Sequence, residues 1–157
     1  MQQIILQSLI RQAKGSEQLG LLLVEEYSLL RQGRPDDVAG LEIIVQELIR
    51  QLVREREFMV RRLELAGMDT LANFMSSLPS QDAREYETWR AMIITHEQDS
   101  ARQASINADL AMALWRQSGD LLQHLQQRVA PRERNTYTAK GTWHNRPATA
   151  ALVSGRL

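Results

Sequence analysis

Cysteine is absent from the chain, so disulfide stapling, thiolate metal ligation and thiol catalysis are all excluded. Aromatic residues make up only 5%, a thin supply for an aromatic-lined pocket, and three histidines are all that is available for imidazole chemistry. Neither sign of charge is in excess: 19 basic residues balance 19 acidic ones, which leaves no global attraction for nucleic acid or an anionic membrane. Long apolar runs are missing too. The longest strongly apolar stretch near the start, Leu19 to Val24, falls far short of the roughly 20 residues a bilayer span requires. What remains is a chain of 157 residues with 43% hydrophobic content, enough for one folded domain and too apolar for a disordered one.

The first fifteen residues, MQQIILQSLIRQAKG, carry an apolar patch interrupted by Gln7, Ser8 and Arg11. They lack a basic n-region and a small-residue cleavage site, so they read as helix and not as an export leader. A cytoplasmic protein is the expectation.

Helical periodicity dominates. From Gln2 to about Gln32, Leu6, Leu9, Ala13, Leu19, Leu23, Tyr27 and Leu30 recur in steps suited to a helix face, with Leu22 and Leu29 widening it. The break Gln32-Gly-Arg-Pro-Asp-Asp37 offers Gly33 to stop this helix and Pro35 with two aspartates to start the next. The second segment, Val38 to Ala66, places Val38, Leu41, Val45, Leu48, Leu52, Met59 and Ala66 in steps of three and four, while Glu55 and Arg62 interrupt the seam. Ile44, Ile49, Val60 and Leu63 broaden it beyond a two-stranded coiled coil. The charged run around Arg50 to Glu64 reads as a wet helical face because acids alternate with bases.

Gly67 ends the second helix, and Leu71, Phe74 and Met75 predict a short turn that pins a loop to the core. A third long helix begins near Asp82 or Ala83 and runs to Val129. Its early seam is Tyr86, Trp89, Ile93 and His96; its later one is Leu110, Leu114, Leu121, Leu122, Leu125 and Val129. Between them Ser100, Gln103 and Asn107 stand where a single heptad phase would place leucine, so a bend near this polar stretch or at Gly119 is one expectation. The fold class is all-α: two antiparallel helices and a long third, forming an elongated bundle over residues 1–129. From Ala130 onward the period is lost. Five basic residues face Glu133 alone, giving the tail, residues 130–157, a formal charge of +4 and the expectation of a flexible basic arm.

The search for chemistry yields little. There is no HExxH, no phosphate-cradling glycine loop and no Gly-x-Ser-x-Gly elbow. His96 and its neighbour Glu97 point about 100° apart on a helix, whereas convergent ligands need three- or four-residue spacing. The expectation is therefore no enzyme, no cofactor and no metal. Nucleic acid is not an expected partner, because no basic stripe runs along a helix and Tyr137 and Trp143 alone are a poor stacking platform. The positive feature is surplus apolar helix surface, which suits a groove for another amphipathic helix. Leu110, Leu114, Leu121, Leu122 and Leu125 are its candidate anchors, and Gln103 and Asn107 are candidate register-setting hydrogen-bond groups. Core packing, or a polar layer within a homodimer, is the competing reading of the same residues.

The layout resembles the FlgN family of flagellar type III export chaperones. The likeness rests on the two initial helices, the Gly/Pro-containing middle, Trp89, the segment Arg102-Gln-Ala-Ser-Ile-Asn-Ala-Asp-Leu110, and the tail motif Thr136-Tyr-Thr-Ala-Lys-Gly141. The family's Asn followed three residues later by Leu matches Asn107 and Leu110. Its Tyr followed four residues later by Gly matches Tyr137 and Gly141, although Lys140 stands where the common motif has Asp. The resemblance implies a non-enzymatic cytoplasmic chaperone that clamps the C-terminal helical segments of the hook–filament junction proteins FlgK and FlgL. It also implies that Asn107 to Val129 is the substrate strip, and that Tyr137 with Gly141 docks on the cytoplasmic domain of the export-gate protein FlhA. Two alternatives use the same surface: a self-associating structural or adaptor bundle, and a chaperone like those of the sister family FliT, serving another flagellar subunit.

Overall fold

A computed structural model describes residues 1–129 and is all-α, with four helices: α1 (Gln2–Arg31), α2 (Pro35–Leu65), α3 (Leu71–Ser76) and α4 (Ser80–Val129). The chain divides into a first unit, Met1–Ala111, and a second beginning at Met112, of which residues 112–129 are described. No described helix is long and apolar enough to cross a membrane.

The helix ends follow local chemistry. Gly33 (φ +66°) and Gly67 (φ +72°) adopt the left-handed conformation that glycine reaches without a Cβ penalty. At each, two amides fold back on the preceding turn: Gly33 N to Leu30 O with Arg34 N to Leu29 O, and Gly67 N to Glu64 O with Met68 N to Leu63 O. These bonds satisfy carbonyls that a helix terminus otherwise leaves open. Pro35 starts α2 with Asp36 and Asp37 in its first turn, favourable next to the positive end of the helix dipole. Thr70 caps α3 by accepting from Asn73 N at 3.1 Å.

Helices α1 and α2 are antiparallel: Gln12 Nε2 reaches Met59 Sδ, while Gly15, further along α1, meets Leu52, further back on α2. A Cβ at Gly15 would lie 2.7 Å from Leu52 Cδ2, so the missing side chain is the space that the leucine fills. Helices α1 and α4 instead run parallel. Tyr86 donates to Gln2 O at 2.8 Å and Asn107 donates to Leu23 O at 2.7 Å, both across a separation of 84 residues, so one register holds along the pair.

The apolar core lies at one end of this arrangement. Ile5, Leu9 and Ala13 of α1 join Leu63 of α2, Phe74 of α3 and Tyr86 and Ile93 of α4, with Met59, Met68, Leu71, Met75, Leu78 and Trp89 packed around them. Phe74 and Tyr86 meet edge to face at 5.6 Å. The expected pinning of a loop by Leu71, Phe74 and Met75 is thus what α3 does.

The possible interruption at Gly119 is not found. Helix α4 continues through Ser100, Gln103, Asn107 and Gly119 without a break. The reason is that a single heptad phase is kept: Tyr86, Ile93, Ser100 and Asn107 are all buried, with Trp89, His96, Gln103 and Leu110 half-buried between them. On α2, Leu63 is buried whereas Ile44, Ile49 and Val60 stay exposed, so the inward stripe is narrower than the sequence suggests. The two charged seam positions of α2 are accommodated by partners. Glu55 pairs with Arg11 at 2.6 Å, and the Arg62 guanidinium sits 5.0 Å from the centre of the Phe58 ring.

Candidate functional site

Two features stand out: a buried polar seam in the first unit and an exposed apolar strip in the second.

The seam forms where α4 passes α1 beyond Ile93. Asn107 is 97% buried, and both of its amide hydrogens are used, to Leu23 O and to Glu26 Oε2 at 2.7 Å each. Its Oδ1 accepts from Gln103 Nε2 at 2.9 Å. Ser100 is buried next to Gly20, and its Oγ has no hydrogen-bond partner among the described residues. Further back on α1, level with the apolar core, Ser8 and Gln12 are buried on the α2 side, where Gln12 Nε2 reaches Met59 Sδ; Ser16 is buried too and donates to Gln12 O at 2.8 Å. A satisfied buried hydrogen bond contributes about 0.5–1.5 kcal/mol net, whereas a fully buried leucine contributes about 1.5–3 kcal/mol. The seam therefore specifies register more than it supplies stability.

Asn107 and Gln103 thus lie where the sequence reading put them in phase, but their amides are engaged inside the chain. Asn107 is unavailable to a partner while its bonds to Leu23 and Glu26 hold. The burial of Ser8, Gln12 and Ser16 was not read from the sequence, because polar side chains on α1 carry no apolar period to mark them as inward. Beside them Glu55 is held below the usual carboxylate range, first by its hydrogen bond from Arg11 and, against some desolvation, also by the Ser8 hydroxyl. The Tyr86 phenol is pushed up, chiefly by burial and further by Glu85 and Asp82.

In the second unit the anchors read from the sequence fall into two groups. Leu121, Leu122 and Leu125 are exposed, at 61%, 60% and 50%. Leu114 is half-buried, like Leu110 in the first unit. One further residue extends the strip, Trp115 at 76% exposed; Met112, 53% exposed, stands nine residues from Leu121 and so on the opposite side of the helix. Trp115 and Leu122 are seven residues apart, as are Leu114 and Leu121, so two rows lie side by side on the helix. That spacing was present in the sequence and marks Trp115 once a second row is sought. Tyr137 and Gly141 lie outside the described residues.

Among the described residues no cluster of three or more His, Asp or Glu side chains is arranged to hold a metal ion. Two depressions on the first unit are shallow helix faces, one along Thr88, Met92, Thr95 and His96 of α4 and one along Val53, Glu57 and Val60 of α2. Comparison with protein-family models, with curated proteins and with solved structures yielded no match.

Proposed function

We propose that this protein is a helix-binding export chaperone of the FlgN type, acting in the cytoplasm on the C-terminal helical segments of FlgK and FlgL. The observation that carries the proposal is the exposure of Leu121, Leu122 and Leu125 on adjoining turns of α4, with Trp115 exposed two turns earlier in line with Leu122. Scattered exposed apolar residues are ordinary, but a contiguous strip marks a partner site. An amphipathic helix laid along it would remove apolar area from water at about 25 cal/mol per Å2 before ordering costs. Such binding covers the ends through which junction subunits assemble and, being noncovalent, releases them without nucleotide chemistry. Tyr137 and Gly141 then belong to delivery, as the docking element for the cytoplasmic domain of FlhA.

Titration of C-terminal helical peptides from FlgK and FlgL into the purified chain tests the reading by calorimetry. Saturable binding that Leu121→Gln with Leu125→Gln abolishes supports it, and absence of saturable binding to either peptide defeats it. Light scattering without peptide distinguishes self-association: assemblies that neither peptide dissolves would assign the strip to a second copy. Tyr137→Ala is expected to leave peptide affinity unchanged and to weaken binding to the FlhA domain.

A further inference from the structure

We infer that the α1–α4 seam opens locally between Gly20–Glu26 and Ser100–Asn107 while the apolar end of the first unit stays packed. Helix α4 is attached to α1 in two chemically different ways. Up to Ile93 it is held by the shared core of Ile5, Leu9, Phe74 and Tyr86. Beyond Ile93, both of its buried residues among those described, Ser100 and Asn107, are polar. Leu23 is the one buried apolar side chain in the segments that part, against seven in the shared core, so the polar half has less apolar area to expose, and water replaces the hydrogen bonds that Asn107 makes to Leu23 and Glu26.

Ser100 and Gly20 add to the asymmetry. Ser100 Oγ makes no hydrogen bond to a described residue, so opening the seam breaks no polar bond there. At Gly20 there is no side chain to interlock with it; a Cβ there would stand 3.5 Å from Ser100 Oγ. Asn107 is accordingly the latch of this half: its amide spans a main-chain carbonyl and a carboxylate of α1, and Gln103 holds it from the next turn of α4. Regions of low apolar contact are the ones that open without global unfolding. This property of the first unit does not depend on the identity of any partner, and opening would free the amides of Gln103 and Asn107.

The absence of native cysteine allows a direct test by native-state thiol labelling. Ser100→Cys reports on the seam and Ser8→Cys, in the fully buried part of α1, reports on the apolar end; both replacements are nearly isosteric. With Ellman's reagent, Ser100→Cys is expected to react at least about tenfold faster than Ser8→Cys, and with little dependence on low urea, since local opening exposes little surface. Adding Ile93→Val, which weakens the apolar end, should accelerate Ser8→Cys about fivefold and leave Ser100→Cys unchanged. Adding Asn107→Ala should accelerate Ser100→Cys about tenfold. Equal labelling rates with equal urea dependence would overturn the inference. So would an equal response of both cysteines to Ile93→Val, since either result makes the unit open as one.

Discussion

Tyr86 donates its phenolic hydrogen to the carbonyl oxygen of Gln2 at 2.8 Å, tying the first turn of α1 to α4 while its ring packs against Phe74. One side chain thus joins three helices. Tyr86→Phe keeps the ring and loses the bond, so a loss of about 1 kcal/mol is expected in urea denaturation. Tyr86→Ala also opens a cavity and should cost about 3–5 kcal/mol. Burial raises the phenol's pKa, so its contribution is present below the unfolded value and is lost as pH rises through the folded one. The stability advantage of wild type over Tyr86→Phe should therefore shrink above about pH 10.

Acid has the opposite signature at Glu55. Its pKa is lowered by Arg11, so the pair contributes at neutral pH and the contribution disappears as pH falls through the folded value. Stability of wild type relative to Glu55→Gln should decline below about pH 4. The pair lies near the surface, so the difference at pH 7 should be no more than about 1 kcal/mol and should diminish in high salt.

Glycine-to-alanine substitutions on α1 and α2 should differ in outcome. Gly40 has nothing within 4 Å of a new Cβ, so Gly40→Ala should stabilise by about 1 kcal/mol through helix propensity alone. Gly15→Ala gains the same propensity but must displace Leu52 from 2.7 Å. Its net effect should be smaller than that of Gly40→Ala or of opposite sign. Paired thermal melts of the two variants check the ordering.

The exposed strip makes binding and stability separable. Leu121→Gln and Leu125→Gln, alone or together, should change unfolding free energy by no more than about 0.5 kcal/mol, since neither side chain is buried. The same substitutions should remove peptide binding under the proposed function. A large loss of stability would mean that the leucines serve the fold.

Much of the architecture is written in short-range chemistry. Gly33, Pro35 and Gly67 punctuate the helices wherever the chain places them, because left-handed backbone and a fixed φ are local properties. Leu9, Ala13, Leu23, Val38 and Leu63 are legible as inward because apolar spacing in threes and fours leaves one face to bury. The polar positions are different. Ser8, Gln12, Ser16, Ser100 and Asn107 are buried although the same residue types at the same spacing are equally suited to solvent.

By itself, then, the sequence determined that the chain is helical, where its helices stop, and which apolar rows require covering. Only tertiary structure decided that α4 runs parallel to α1 in a single register, that Asn107 is satisfied by Leu23 and Glu26, and that Leu121, Leu122 and Leu125 are exposed. The physical reason is that backbone punctuation and periodicity depend on neighbours a few residues away. Whether an amide or a leucine is buried depends on which surface lies opposite, and for α1 and α4 that surface is 84 residues distant.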